Sequence, residues 1–281
     1  MIVYPFEAGG IVTRILAAGE KRPVILLLHG FTSRADRWRQ TVADLAARGY
    51  RVFAPDLPGH GFASKSAAFD HSVAGYRDFA IDVLDRLGVK RASLVGASLG
   101  GHVLAAVTKQ IPDRVDHLVM IGSMGLAPLA AERVAKIRAG LSDMSLPAMR
   151  ARLLSVFSNP DLVTDELVKE DVLVNTSPGA QESLGKFGRH LASGYNDGLA
   201  LPDLMALDGR IPLMLLWGSA DESVPVEVAH AAREQLPRAQ LAVMHGINHT
   251  PYIENPALFQ QIVLDFLQGG RGISAAGVTY R

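Results

Sequence analysis

Short, continuously apolar runs recur along the chain: IVTRIL (11–16), PVILLLHG (23–30), RVFAPD (51–56), SLVGAS (93–98), HLVMIG (117–122), IPLMLLWG (211–218) and QLAVMHG (240–246). Continuous rather than alternating apolarity predicts strands buried on both faces, as in a parallel sheet. Between them the period changes. Val73, Tyr76, Phe79, Ala80, Val83, Leu84 and Leu87 repeat at three and four, and so do Trp38, Val42, Leu45 and Ala46, which predicts amphipathic helices. Strand–helix alternation implies an α/β chain with a doubly wound, mostly parallel sheet, its ligands taken outside the carboxyl ends of the strands.

From 125 to 207 the strand-like runs stop. Helical segments follow one another instead, AAERVAKIRAGL, PAMRARLLSVF, DELVKEDVLV and GAQESLGKFGRHLA, broken by Pro147, Pro160 and Pro178. About 80 residues is more than a connection between neighbouring strands needs. The segment is therefore read as a helical cap inserted in a core of residues 1–124 and 208–268, either a lid over a site or an extra packing layer. Residues 269–281, GGRGISAAGVTYR, are Gly-rich and unpatterned and are expected to be a flexible tail.

Composition narrows the possibilities. The 281 residues are 48% hydrophobic and 20% charged, with 28 Lys and Arg against 28 Asp and Glu. Such a balance gives no electrostatic reason to expect a nucleic-acid or membrane partner. There is no cysteine, so disulfides, thiolate metal sites and a cysteine nucleophile are excluded. The opening MIVYPFEAGG lacks the basic and apolar regions of a signal peptide, and no run approaches a membrane span. A cytoplasmic protein acting on a small-molecule substrate is expected.

The chemistry is concentrated at a few turns. GASLG (96–100) matches G-x-S-x-G, after a buried strand and before the helical GGHVLAAVTKQ, the place where a sharp turn exposes a nucleophilic serine. A phosphate-binding turn would need G-x-G-x-x-G or a Walker lysine, and neither is present. IGSMG after the next strand fails the pattern at Ile121, which leaves Ser123 as a pocket-wall residue. A serine hydroxyl needs a histidine base, and the base a carboxylate, in the order Ser, acid, His for this kind of elbow. His190, His230 and His245 lie on the cap, on a helix and at a strand end. His249, in the loop after the last strand, shares the carboxyl edge with Ser98. His245 and His249 have a metal-like spacing, but Gly246 and Pro251 argue against a helix presenting both, so no metal is expected. Asp221 follows a buried strand at the same edge; its neighbour Glu222 is the alternative, and Asp221 could also serve as a helix cap.

The developing oxyanion needs backbone donors, one from the residue after the nucleophile, Leu99, and one from the loop after an earlier strand, Phe31 in LLLHGFTS. No cofactor is needed. Candidate substrate contacts are Ser123, Met124 and Phe157 on apolar walls and Arg189, His190 and Tyr195 as polar groups, with cap packing or a solvated helix face as the competing explanation for each.

Taken together, HGFT, DLPGHG, GASLGGH, WGSADESVP and INHTPYIENP resemble the α/β-hydrolase fold superfamily, in its order and from about residue 23 to 267. The resemblance implies an eight-stranded sheet, a triad of Ser98, Asp221 and His249, an oxyanion hole at Phe31 and Leu99, a cap, and structural turn work for Asp56 and His60. SLGG and LVTDELV are similar to the meta-cleavage-product C–C hydrolases. The chain departs from them at Ala97 before the serine, in FTSRAD, in LVKEDV without a cap arginine, and at Thr250. Those departures leave a carboxylesterase or lactonase as the first expectation, with C–C bond hydrolysis and a non-catalytic receptor on the same scaffold as alternatives.

Overall fold

The computed structural model describes residues 1–21 and 23–281. The chain opens with β1 (Ile2–Ala8) and β2 (Ile11–Ala18), a hairpin turned by Gly9 and Gly10, both at positive φ; a two-residue turn whose twist matches its strands needs such residues. Next come β3 (Val24–Leu28), α1 (Arg39–Ala47), β4 (Arg51–Pro55), α2 (Val73–Arg86), β5 (Ala92–Ala97), α3 (Leu99–Gln110) and β6 (Val115–Ile121). Helices α4 (Ala131–Gly140), α5 (Leu146–Leu154), α6 (Asp165–Asn175), α7 (Ala180–Ser193) and α8 (Leu201–Ala206) then follow with no strand between them. The sheet resumes with β7 (Leu213–Gly218), α9 (Val226–Gln235), β8 (Gln240–Met244), α10 (Pro251–Glu254), α11 (Pro256–Leu267) and β9 (Val278–Tyr280).

Among the described residues these strands form one nine-stranded sheet in the order β1-β2-β4-β3-β5-β6-β7-β8-β9. The run from β4 to β8 is parallel, and β1, β2 and β9 are antiparallel to their neighbours. Every residue of β3, β5 and β7 is buried. Successive side chains of β3 serve opposite layers: Leu26 and Leu28 join Phe79, Val103 and Leu104, while Ile25 and Leu27 join Trp38, Val95 and Phe259. That alternation is the period of a pleated strand covered by helices on both sides. The cap has its own cluster around Met144, Met149, Leu153, Phe157 and Leu184.

Two expectations are corrected. The sheet has nine strands rather than eight, and the ninth comes from the tail expected to be loose. Gly277, at φ 87°, turns the chain so that β9 pairs with β8, while Ile273, Ala275, Val278 and Tyr280 pack on the core. Pairing covers a sheet edge that would otherwise expose its backbone groups. No described helix is long and apolar enough to cross a membrane.

Candidate active site

The carboxyl ends of β3, β5, β6 and β7 meet at one place, and backbone packing decides what can stand there. Ser98 bridges β5 and α3 with φ 53° and ψ −116°, a conformation that costs of order 1–3 kcal/mol and needs enforcement by its surroundings. Its N–H donates to the Ile121 carbonyl at 2.8 Å, and its own carbonyl accepts from Gly101 and Met124. The glycines around it are dictated by contact. A β-carbon on Gly96 would stand 2.5 Å from the carbonyl carbon of Gly100; one on Gly100 would overlap the Leu28 carbonyl; one on Gly101 would overlap the Ser123 hydroxyl. The turn is sharp because strand and helix backbones touch across it.

His249 follows β8. Its Nδ1 lies 2.8 Å from Oδ2 of the buried Asp221, and a carboxylate only accepts, so Nδ1 carries a proton, which in the neutral ring puts the lone pair on Nε2. The other carboxylate oxygen, Oδ1, accepts from the N–H groups of Ser223 and Val224 at 2.8 Å each. The turn-capping and histidine-orienting uses of Asp221 thus coexist on separate oxygens. Asn248 organises the same corner by accepting from the Glu222 N–H. His245 turns away to Thr279, 2.7 Å from its Nε2, so it does not converge with His249.

Ser98 and His249 line the same cavity of about 90 Å³ without a direct hydrogen bond between them; unliganded sites of this kind are often loose and tighten with substrate. Its walls include Phe31, Met149, Leu153, Val156 and Phe157, with Arg37, Arg152 and Asp171 at the polar side. Phe31 is second in a four-residue turn closed by a Ser33 N–H to Gly30 carbonyl bond of 3.3 Å. Beneath it His29 is fully buried, its Nε2 accepting from the Leu57 N–H and its Nδ1 donating to the Gly30 carbonyl. Burial holds this imidazole below its ordinary pKa and keeps it neutral. Asp56 accepts from Arg14, Ala35 and Phe62 and is therefore structural. So is His60, packed edge-on between Phe31 and Tyr76, with burial depressing its pKa well below the usual value.

Of the candidate substrate contacts, Phe157 lines the cavity that holds Ser98, while Ser123 and Met124 meet only the Ser98 carbonyl, from behind the turn. Ser123, Met124 and Tyr195 border a neighbouring cavity of about 240 Å³ with Arg133, Glu222 and Val224. The Ser123 hydroxyl is spent on the Met124 carbonyl at 2.8 Å. The Tyr195 hydroxyl accepts from the Gly125 N–H at 2.6 Å, and burial pushes its pKa up to about 12. Arg189 is exposed on α7, and His190 packs against Phe187. A wider groove of about 930 Å³, lined by Arg14, Arg39, Phe62, Lys65 and Leu173, includes neither Ser98 nor His249.

Several wall residues were not singled out from the sequence. Arg152 of α5 donates through Nη2 to the carbonyls of Gly140 and Asp143, and its Nη1 faces the sulfurs of Met144 and Met149 at 3.5 and 3.9 Å. Burial lowers its pKa, and among the described residues no carboxylate pairs with it within 4.0 Å. Asp171 and Asn175 of α6 reach the loop after β3, where Arg34 and Arg37 bind Asp171 and Asn175 Nδ2 donates to the Thr32 carbonyl at 3.3 Å. These pairs join positions 134 to 143 residues apart, a separation at which no local spacing carries a signal.

A family model described as alpha/beta hydrolase fold matches residues 23–256. The chain is 31% identical over 265 residues to a 2-hydroxymuconate semialdehyde hydrolase of Pseudomonas sp., covering 92% of each. It is 32% identical over 273 residues to an uncharacterized protein of Mycobacterium tuberculosis, covering 90% of this chain and 77% of that one. Among solved structures it superposes on a meta-cleavage product hydrolase from Pseudomonas fluorescens, complexed with acetates, with TM-score 0.84 at 28% identity over 95% and 97% of the two chains. A membrane phospholipase A described as a bacterial virulence factor gives TM-score 0.83 at 25% identity over 97% and 87%. The nine-stranded sheet with its cap, the match across most of the chain and relatives that are hydrolases lead to one conclusion: the chain belongs to the α/β-hydrolase fold family and is a hydrolase.

Proposed function

We propose that the protein is a serine hydrolase cleaving a carboxylic ester or lactone of a small, largely apolar substrate through an acyl-enzyme. The observation that carries this reading is the direction of His249: Asp221 takes Nδ1–H, which leaves Nε2 as a base toward the cavity that the strained Ser98 also lines. In this reading Ser98 Oγ attacks the carbonyl carbon while His249 Nε2 accepts its proton. The N–H groups of Phe31 and Leu99 hold the oxyanion, and the imidazolium returns the proton to the leaving alkoxide. Water, deprotonated by His249, then releases the acid and frees Ser98. Leu99 is the first residue of α3, so its N–H has no partner within the helix and is available to an anion.

The cavity supports a small acyl group. A drug-sized ligand occupies about 300 Å³ or more, whereas about 90 Å³ flanked by Phe31, Leu153, Val156 and Phe157 suits a short apolar acyl chain unless the cap shifts. A p-nitrophenyl ester series of graded acyl length tests this: turnover falls steeply beyond short chains and vanishes in Ser98→Ala. Turnover surviving in the alanine variant would overturn the assignment.

A second reading, hydrolysis of the C–C bond of a vinylogous diketone, is favoured by Arg152, a cation on the cavity wall without a carboxylate partner among the described residues. It could receive an acidic substrate group, and the 2-hydroxymuconate semialdehyde hydrolase relative makes a dienoate diketone the compound to try. Turnover of that diketone exceeding every ester would select the second reading.

A further inference from the structure

The loop after β3 carries a feature that the proposed reaction uses without explaining. Thr32 has φ 58°, and the Ser33 N–H to Gly30 carbonyl bond places it third in a four-residue turn. A positive φ there is ordinary for glycine or asparagine and an outlier for a β-branched residue. Something outside the turn must hold it, and the residue before it in the same turn, Phe31, is the one whose N–H is proposed to face the oxyanion.

Helix α6 of the cap supplies that hold. Asp171 and Asn175 stand one turn apart on its inner face and both are buried, as residues four apart on a helix face should be when both meet the same partner. Asn175 Nδ2 donates to the Thr32 carbonyl. Asp171 Oδ1 binds Arg34 Nη1, and its Oδ2 binds Arg37 Nη2 at 2.8 Å. Glu170 and Asp36 also pair with Arg34, at 2.6 and 3.1 Å, so the buried guanidinium is surrounded by acceptors. The core restrains the loop at its two ends, where His29 Nδ1 donates to the Gly30 carbonyl beside the His60–Phe31 contact and the Ala35 N–H donates to Asp56 at 2.7 Å. At Thr32 itself the side-chain tether comes from α6.

We infer that Asp171 and Asn175 are positioning residues: by docking on the Thr32 carbonyl, Arg34 and Arg37, cap helix α6 holds the Gly30–Ser33 turn in the strained form that aims the Phe31 N–H at the oxyanion. The inference rests on the proposed roles of Ser98 and Phe31. Its consequence is that the oxyanion hole is complete only while the cap is seated on the core, so cap closure and transition-state stabilisation are one event. A donor displaced by about 1 Å costs up to 100-fold in rate, and a donor that acts only on the oxyanion changes kcat rather than KM.

The experiment compares wild type, Asn175→Leu, which keeps volume and removes the donor, and Asp171→Asn, with Ser98→Ala as control. Each is measured for kcat and KM on a short p-nitrophenyl ester, for inhibition by a trifluoromethyl ketone that forms a tetrahedral oxyanion, and for melting temperature. For Asn175→Leu, kcat falls roughly 10- to 100-fold while KM stays within about threefold, and the ketone weakens by the same factor as kcat/KM. Adding Thr32→Asn, which tolerates the turn's positive φ, restores part of kcat in that background. If Asp171→Asn does not fold, Asn175→Leu and its rescue decide. Wild-type kcat and ketone affinity in Asn175→Leu, or a loss accounted for by KM or by the unfolded fraction, would overturn the inference. Turnover remaining in Ser98→Ala would instead mean that the underlying serine-hydrolase reading has failed.

Discussion

Ser98 and Thr32 are the two non-glycine residues with positive φ among those described, at 53° and 58°, and they flank the same cavity. Their supports differ. Ser98 is held by backbone: its N–H on the Ile121 carbonyl, its carbonyl on Gly101 and Met124, and glycines on either side that leave no space for a β-carbon. Thr32 is held by side chains of an inserted helix, through the Asn175 amide and the Asp171 carboxylate. Close backbone packing is not adjustable without moving the sheet, whereas a docked helix can leave. Ser98 and the Leu99 donor of the proposed site belong to the core, and in the reading above its Phe31 donor depends on the cap.

The comparison breaks most severely at Gly100. An added β-carbon meets the Leu28 carbonyl oxygen and stands 2.7 Å from both the Leu28 carbonyl carbon and the His29 oxygen, all backbone with no flexible end to yield. Overpacking of this kind costs about 3 kcal/mol or more, worth roughly 6–12 °C in a chain of this size. Gly100→Ala should therefore melt far below wild type by calorimetry and lose ester turnover even below its new midpoint. A melting point within about 2 °C of wild type would show that the elbow is softer than its contacts imply.

Removing the charge on Asp221 should separate chemistry from folding. Asparagine in its place keeps an oxygen for the Ser223 and Val224 N–H groups but presents an amide to His249 and favours the wrong tautomer. Loss of the carboxylate in such a triad costs about 10⁴-fold in kcat. The expected result for Asp221→Asn is that fall in turnover with a melting shift of a few degrees at most, about 1 kcal/mol or less. Equal turnover in the two proteins would remove Asp221 from the mechanism and reopen the case for Glu222.

The same contrast explains what the sequence reveals. The elbow is legible because its causes are local: five consecutive residues carry the glycines, and a buried strand precedes them. Asp221 and His249 are legible because each follows a strand whose end must lie at the same sheet edge. The helical cap segments are legible by period, yet period does not say which face meets the core. Tyr195 is spent on the Gly125 N–H, Ser123 on the Met124 carbonyl, and Arg189 faces solvent, whereas Arg152 and Asp171 face the cavity. Strand β9 is three residues long and exists because β8 offers it an edge, and β1 is a half-exposed edge strand containing Pro5, a residue tolerated only at edges.

Acid should loosen the seam between core and cap before it touches the elbow. His102 of α3 donates through Nε2 to the Gly198 carbonyl at 2.9 Å, its Nδ1 has no partner among the described residues, and burial pushes its pKa down to about 4. Unfolding restores an ordinary value near 6.5, so between about pH 6.5 and 4 the unfolded chain binds the extra proton. The stability that neutral His102 contributes is fully present above 6.5 and is lost as pH falls through that window, by about 1.4 kcal/mol per pH unit. Burial depresses His29 and His60 in the same direction and steepens the decline. Denaturant midpoints measured from pH 7 to pH 4.5 should fall steadily, and His102→Gln should flatten the slope by roughly one proton's worth. An unchanged slope in that variant would mean that the cap seam does not sense this imidazole.

The smallest expected effect sharpens the comparison most, because it acts on Thr32 alone. A β-branched residue at φ 58° stores strain of order 1–3 kcal/mol, and asparagine adopts that region at less cost. Thr32→Asn should raise stability by about 1 kcal/mol, seen as a rise of roughly 2–4 °C in the melting temperature. The gain should be smaller in the Asn175→Leu background, where the turn is already free to leave its strained form. A double-mutant cycle over positions 32 and 175 reads the difference as a coupling energy. Zero coupling would mean that the turn holds its own shape, and the oxyanion loop would then join Ser98 as a property of the core.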